Sequence, residues 1–156
     1  MEAYQKQIVL NALILLLLGL LAGVLLVFSL IGGVEILPNL FIPIQAFGTT
    51  EGWVRAHSGG IMNGLMLIAF SYILPHCGLE IKRIQFYAKG IIFAGWANTI
   101  FYWAGNFSNN RALSFTGNRL GLSNVVGLLG YTVASIAAVV TIYIVVQMIR
   151  GFISKP

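Results

Sequence analysis

The stretch IVLNALILLLLGLLAGVLLVFSLI, residues 8–31, consists mainly of Leu, Ile, Val and Ala and contains no charged residue. An α-helix rises 1.5 Å per residue, so about 20 apolar residues are enough to cross the hydrocarbon core of a bilayer. The segment before it, MEAYQKQ, is barely basic, and the apolar run is longer than that of a secretory signal peptide. We therefore expect residues 8–31 to form a membrane-spanning helix that is not cleaved.

Three further apolar stretches of helical length follow at residues 54–74, 88–104 and 124–149, of which 88–104 is the shortest and least apolar. Of the 156 residues, 58% are hydrophobic and 8% are charged. A soluble domain of this size cannot bury so much apolar surface. The sequence predicts an all-α integral membrane protein, a four-transmembrane-helix bundle that forms a single domain over residues 1–156.

The basic residues predict the orientation of this bundle in the membrane. If both termini share a side, six basic residues lie there: Lys6, Lys82, Arg83, Lys89, Arg150 and Lys155. Three lie on the opposite side: Arg55, Arg111 and Arg119. The positive-inside tendency then places both termini in the cytoplasm. The net charge of +5 indicates attraction to anionic lipid rather than nucleic-acid binding.

The two longer connections differ in composition. Residues 32–52 contain Pro38 and Pro43, which exclude a regular helix, and are rich in Ile, Leu and Phe. We expect this segment on the membrane surface or packed over the bundle. The loop GNFSNNRALSFTGNRLG, residues 105–121, is polar and is predicted to be a solvated loop, a lid or a subunit contact. Cys77 is the single cysteine, so no disulfide forms within the chain.

The segment EGWVRAHSGGIMNGLM, residues 51–66, places polar side chains at the edge of the second predicted span. Arg55, His57 and Asn63 are costly in lipid, which favours a functional reading. Gly60 and Gly64 follow His57 by three and seven residues and share its helical face. Their spacing permits close approach of another helix or of a planar cofactor such as haem, whose iron a histidine commonly holds. A hydrogen-bonded packing role and a proton relay stay open for His57.

The second histidine cannot share an iron with the first within one chain. His76 follows His57 by 19 residues, about 28 Å along a helix. A haem held by His57 would therefore keep its sixth coordination position open unless another subunit filled it. An open position suits ligand binding, whereas a filled one suits electron transfer. We expect His76 and Cys77 to face solvent.

The third predicted helix carries a polar stripe. Asn98 and Tyr102 are four residues apart on one face, and Asn63 is the expected partner in the second helix. The stripe is either a structural network or a site in which the Tyr102 hydroxyl orients a bound oxygen. Nearby, Trp96 and Trp103 are predicted to belong to an interfacial aromatic belt, or alternatively to a cavity wall. The chain has no Asp, and its four Glu lie in loops or at helix ends, which excludes paired-carboxylate catalysis in the membrane.

Residues 51–66, together with GWANTIFYWAGNFSNNRALSFTGNRLG at residues 95–121, closely resemble the styrene oxide isomerase family of bacterial membrane enzymes. The resemblance implies a trimer in the cytoplasmic (inner) membrane with haem b at each subunit interface, acting in styrene breakdown beside a styrene monooxygenase. It implies that His57 ligates the iron and that Asn63 and Tyr102 position the epoxide. Gly60, Gly64 and Asn98 are expected to border the cofactor.

This likeness also implies a redox-neutral isomerisation of styrene oxide, or a related aryl epoxide, to phenylacetaldehyde. Five-coordinate ferric haem would act as a Lewis acid on the epoxide oxygen, and a 1,2-hydride shift would give the aldehyde. Family members carry an aspartate where this chain has Ala94, and a proline where it has Gly60, so the pocket polarity and substrate range are expected to differ. The alternatives are a membrane cytochrome b subunit that passes electrons and a non-enzymatic oligomer packed through GIMNG.

Overall fold

A computed structural model describes residues 1–154 of the chain, and most of them are helical. The four helices are α1 (Ala3–Ile31), α2 (Thr50–Ile73), α3 (Ile81–Ala104) and α4 (Val125–Ser154), and a 3₁₀ turn, Leu74–His76, extends α2. All four predicted helices are present with shifted bounds. Lys155, which the charge count used, lies outside the described residues.

The largest error in the predicted bounds is at α3, which begins at Ile81 rather than at residue 88. Its first turn contains Lys82 and Arg83, and these charges kept the start of the helix out of the predicted apolar run. By length and apolar composition α1, Thr50–His76 and α4 can each cross a membrane. This confirms a mostly helical membrane protein, and α3 as a fourth span stays a prediction because it is less apolar.

Glycine contacts hold α1 and α2 close together. A Cβ atom on Gly60 would lie 2.7 Å from the Cα atom of Gly19, and a Cβ atom on Gly19 would lie 2.7 Å from the Ile61 nitrogen. Such a separation is closer than any pair of larger residues permits. On the other side of the bundle, α3 meets α4 through small residues, since Ala94, Ala97 and Ala137 form one buried cluster.

The start of α1 and the end of α4 lie at one end of the bundle, which we call the Cys77 end. There Gln5 in α1 donates from its side chain to the Ser71 carbonyl of α2 at 3.0 Å. Gly151 in α4 lies directly against the Cys77 carbonyl. The opposite end, which we call the His57 end, holds the start of α2 and the end of α3. The start of α1 and the end of α4 therefore share an end of the bundle, whereas their orientation in the membrane stays a prediction.

The connection between α1 and α2 is a hairpin rather than irregular chain. Strand β1 (Gly33–Leu37) pairs antiparallel with β2 (Leu40–Pro43), with Gly33 opposite Pro43. Asn39 turns the chain at φ +68°, and its N–H donates to the Glu35 carboxylate at 3.0 Å. The absence of a helix here is confirmed. The strands were not predicted because most of their apolar side chains are exposed, so the usual alternation is missing.

The start of α2 is fixed at the His57 end. The Thr49 hydroxyl accepts a hydrogen bond from the Gly52 N–H at 3.1 Å, which caps the helix before its first turn. The Thr49 N–H donates to the Asn106 side-chain oxygen at 3.3 Å, and so ties this cap to the chain that follows α3. After Asn106 the polar loop forms a second small hairpin, β3 (Gly117–Asn118) with β4 (Gly121–Leu122).

Candidate functional site

His57 lies near the start of α2 and is half-buried. Its Nδ1 atom is 2.9 Å from the backbone carbonyl oxygen of Gly19 in α1. A carbonyl oxygen can only accept, so Nδ1 carries the ring proton and the neutral imidazole keeps its lone pair on Nε2. Histidines that bind metals are commonly oriented by a backbone carbonyl in this way. The hydrogen bond therefore leaves Nε2 as the ring nitrogen with the free lone pair.

A second glycine pair, which the sequence reasoning missed, holds the His57 ring. Gly19 supplies the carbonyl, and a Cβ atom on Gly23, one turn further along α1, would lie 2.6 Å from Nδ1. Any side chain at Gly23 would therefore displace the imidazole. The signal was present in the sequence as GLLAG at residues 19–23, a second small-xxx-small spacing opposite the one in α2.

Gly60 and Gly64, which were expected to border a planar cofactor, face α1 within the chain. A Cβ atom on Gly60 would meet the Gly19 backbone, and one on Gly64 would lie 2.9 Å from the Ala12 carbonyl oxygen. Both glycines are buried. Close approach of a second helix, the other interpretation of their spacing, is the one that the structure shows.

Asn63 has a different partner from those predicted. It is 6% exposed, and its Nδ2 donates to the Thr99 hydroxyl at 3.1 Å. Thr99 in turn donates to the Gly95 carbonyl at 2.9 Å. The predicted partners, Asn98 and Tyr102, make no side-chain hydrogen bond inside residues 1–154. A network does join α2 to α3, but it runs through Thr99.

Tyr102 lies against α2 at another glycine. A Cβ atom on Gly59 would overlap the Tyr102 ring, so the bare backbone at Gly59 is what admits the aromatic side chain. The ring borders a buried cluster formed by Ala22, Trp53 and Ala56. Asn98, which was expected to border the cofactor, is half-buried on α3.

A cavity of about 310 Å³ lies beside Thr99, between α1, α3 and α4. Apart from Thr99, its walls are apolar or aromatic: Leu18, Trp96, Ile100, Trp103, Ala104, Phe107 and Val126. Trp96 and Trp103 thus line a cavity wall, which was the alternative to the favoured prediction of an interfacial aromatic belt. The volume and the lining are typical of a site for a small apolar ligand.

Neither His57 nor Tyr102 lines this cavity. One chain therefore does not bring the predicted iron ligand and the apolar cavity into a single site. Ala94, where the resemblance leads one to expect an acid, is fully buried between α3 and α4 and does not reach the cavity either.

The residues at the Cys77 end do not form a metal site. His76 is exposed, as predicted, and its Nδ1 lies 2.8 Å from the Tyr72 carbonyl oxygen. Cys77 was predicted to face solvent and is instead completely buried, with its thiol donating to the Leu74 carbonyl at 3.2 Å. The reason is that α4 packs over this turn through Gly151. Burial raises the pKa of the Cys77 thiol above its ordinary range.

The donor set fits haem better than a bare metal ion. Within residues 1–154 no three His, Cys, Asp or Glu side chains come together, so the chain alone does not build a multi-ligand metal centre. A porphyrin supplies four of its own nitrogens and needs one axial ligand from the protein. A half-buried His57, with Nδ1 engaged and Nε2 available, meets that need.

Two comparisons with known proteins bear on this site. The sequence profile of the styrene oxide isomerase family matches residues 4–153, a span that includes His57, Asn63 and Tyr102. The chain is also 37% identical over 129 residues to a Pseudomonas fluorescens protein named styrene-oxide isomerase. That alignment covers 83% of this chain and 76% of the relative.

Proposed function

The chain belongs to the styrene oxide isomerase family and is an isomerase, and we propose that it converts styrene oxide or a related aryl epoxide to the aldehyde. For styrene oxide the product is phenylacetaldehyde. The C–O bond at the aryl-bearing carbon breaks, a hydride moves over from the neighbouring carbon, and no electron or proton is consumed overall. Breakage is favoured at that carbon because the ring spreads the developing positive charge.

The hydrogen bond from His57 Nδ1 to the Gly19 carbonyl, 2.9 Å long, is the observation that supports haem b as the cofactor. It fixes the tautomer in which Nε2 is free, so that His57 would hold the haem iron through this nitrogen. Ferric haem, when bound, would supply Lewis-acid chemistry toward the epoxide oxygen.

The chain's own residues bind and orient the epoxide and keep water away from it. The cavity beside Thr99 is lined by aromatic and aliphatic side chains, which suit an aryl group and disfavour the water that would open an epoxide to a diol. Asn63, held by Thr99, and the Tyr102 hydroxyl, which has no hydrogen-bond partner within residues 1–154, are proposed to orient the epoxide oxygen.

The complete site is proposed to form between copies of the chain in a homotrimer. One chain keeps His57 apart from the cavity, so a neighbouring copy is needed to unite them. The apolar surfaces of α1 and α4 leave room for such contacts and for lipid, since only 17% of the most apolar part of each helix is buried within the chain. We place the trimer in the inner membrane with both termini in the cytoplasm, where a styrene monooxygenase would supply the epoxide.

An absorption spectrum of the detergent-purified protein, followed by a styrene oxide assay for phenylacetaldehyde, tests this function. We expect a haem Soret band and aldehyde formation. His57→Ala should abolish both, whereas the matched control His76→Ala, which changes an exposed histidine at the opposite end, should keep both. A six-coordinate low-spin spectrum without turnover would instead indicate electron transfer. If His57→Ala kept its haem and its turnover, the proposal would be wrong.

A further inference from the structure

Four buried side-chain atoms within residues 1–154 have no hydrogen-bond partner: Nε and Nη2 of Arg55, Nδ2 of Asn106 and Nε1 of Trp103. All four are donors, and all lie at the His57 end. Folded proteins satisfy nearly all buried polar groups, so donors left together without an acceptor suggest that a ligand supplies one. Trp103 belongs to the apolar cavity and packs edge-on against Trp53. Arg55 and Asn106 have no such explanation.

Arg55 reaches from α2 to the end of α3. A Cβ atom on Gly105 would lie 2.8 Å from its Nη2, so the guanidinium passes over bare backbone there. The next residue, Asn106, is 9% exposed and uses its Oδ1 to accept from the Thr49 N–H. Its Nδ2 is therefore left as a buried donor, one residue along the chain from the Gly105 backbone that the guanidinium crosses.

Two basic residues meet at this place. A Cβ atom on Gly105 would lie 2.8 Å from Nη2 of Arg55 and 3.2 Å from the Arg111 carbonyl oxygen. The sequence has no Asp, its four Glu side chains are all exposed, and none of them pairs with Arg55 within residues 1–154. Arg55 and Arg111 are both half-buried, and an anion between them would offset the cost of removing their charges from water.

The backbone holds Arg111 in place at a conformational cost. Arg111 and Ala112 have φ of +57° and +56°, in the left-handed region that residues with a Cβ rarely adopt. The turn is stabilised by Asn110, which is fully buried and accepts from the Ala112 N–H at 3.0 Å. Strain of this kind persists where the surroundings require one particular geometry.

A cavity of about 370 Å³ opens beside this cluster. Asn106 and Arg111 line it, and Arg55 lies against Gly105, which forms another of its walls. The remaining walls are Thr49, Phe107, Ser108, Asn109 and Leu120. This cavity is polar, unlike the one beside Thr99, and its volume admits a group of several atoms.

We propose that Arg55, Asn106 and Arg111 form a binding site for a carboxylate. A carboxylate is planar and acceptor-only, and it matches the fork of N–H donors on a guanidinium. The carboxylate is supplied either by a porphyrin side chain or by a free small acid. The first source rests on the proposed function and is favoured because Arg55 precedes His57 by two residues at the same end of α2.

The test uses the full-length, haem-free chain in detergent with three probes: haemin, haemin dimethyl ester, in which both carboxylates are blocked, and benzoate. Porphyrin binding is followed by the Soret band and benzoate binding by the rise in melting temperature. The variants are Arg55→Gln and the control Arg119→Gln, which removes an equal charge from an exposed position in the neighbouring loop.

If the porphyrin is the source, wild-type chain and Arg119→Gln should bind haemin about tenfold or more tightly than the diester, as expected for a charge-assisted hydrogen bond. Arg55→Gln should bind the two porphyrins equally. If a free acid is the source, the two porphyrins bind alike and benzoate stabilises wild type but not Arg55→Gln. If neither probe distinguishes Arg55→Gln from wild type, the site does not exist.

If the proposed function is wrong, the result is different, because wild type would bind neither porphyrin. The benzoate measurement alone would then show whether the carboxylate site exists. Asn106→Asp covers the case in which Arg55→Gln does not fold. It keeps the acceptor for Thr49 and places a carboxylate beside Arg55. We expect it to melt at a higher temperature than wild type and to lose the response to carboxylates. An unchanged response would overturn the proposal.

Discussion

The two ends of the bundle differ in their apolar packing and in how completely their buried polar groups are hydrogen-bonded. At the Cys77 end α1, α2, α3 and α4 share one large apolar cluster that includes Leu74, Cys77 and Met148. The His57 end has a small cluster of Ala22, Trp53 and Ala56, and the buried donors without partners lie there. The large apolar core and the unpaired buried donors thus lie at opposite ends of the bundle. The proposed ligand would bind at the His57 end.

The largest effect on this contrast is expected from Asn110→Ala. The Asn110 side chain accepts from Ser108 Oγ at 2.7 Å and from the Ala112 N–H, and it donates to the Ser114 carbonyl at 2.8 Å. Removing it leaves several buried groups unpaired at once, which should cost about 3 kcal/mol. The measurement is thermal or denaturant unfolding in detergent.

The neighbouring Asn109→Ala is the control, because Asn109 is exposed. It should stay within about 0.5 kcal/mol of wild type. If the two variants unfolded alike, the polar loop would contribute nothing to the His57 end, and the strained geometry at Arg111 would need another cause.

The second prediction concerns the close contact between α1 and α2 at Gly19 and Gly60. Gly60→Ala places a methyl group 2.7 Å from the Gly19 Cα atom, so the backbones of α1 and α2 must separate. We expect a loss of about 2 kcal/mol, as for other overpacked contacts. Gly90→Ala is the control, because its Cβ atom would meet side-chain ends, Ile144 at 2.7 Å and Val140 at 3.3 Å, and no backbone atom of another helix. Equal stability of the two variants would contradict tight α1–α2 packing.

This glycine contact also shows where prediction from sequence stops. The hydropathy pattern was sufficient for the four helices, since chain length and apolar composition decide which segments can enter a membrane. The spacing of Gly60 and Gly64 showed that something approaches α2 closely. It did not show whether a helix or a cofactor does so, because either one needs the same bare backbone.

The sequence predicted which residues belong to the candidate site, but not which residues contact each other there. His57 stands out because imidazole is rare in a span, yet its tautomer depends on the Gly19 carbonyl, which is 38 residues away in the sequence. Periodicity placed Asn98 and Tyr102 on one face of α3, but packing sets the rotation of α3 against α2, and Thr99 meets Asn63 instead. The importance of Asn110 could not be read from a loop with several asparagines, because it depends on the turn at Arg111.

The third prediction tests the hydrogen bond from Asn63 in α2 to Thr99 in α3. Thr99→Val keeps the shape of the side chain but removes the acceptor for Asn63 and should cost about 1 kcal/mol. Turnover of styrene oxide should also fall, because Asn63 loses its orientation. Thr141→Val is the matched control, since its hydroxyl donates only to the Ala137 carbonyl in its own helix, at 2.8 Å. If both variants kept full stability and turnover, Thr99 would not position Asn63.

The smallest effect on stability is expected at the Cys77 end. Alkaline pH tests whether the Cys77 thiol is buried there. Burial raises the pKa of the Cys77 thiol in the folded state, whereas an unfolded thiol has a pKa of about 8.5. The folded state therefore holds this proton more tightly. The resulting stability is fully present below the unfolded pKa and is lost as the pH rises through the folded pKa.

The melting temperature of wild type should therefore fall more steeply above pH about 8.5 than that of Cys77→Ala, in which the other titrating groups are unchanged. N-Ethylmaleimide should react slowly with the folded protein and quickly after denaturation, because the thiolate is the nucleophile. Rapid labelling of the folded protein would show that α4 does not cover the Cys77 turn. The Cys77 end would then be as open as the His57 end, and the contrast between them would rest only on where the charged and polar groups lie.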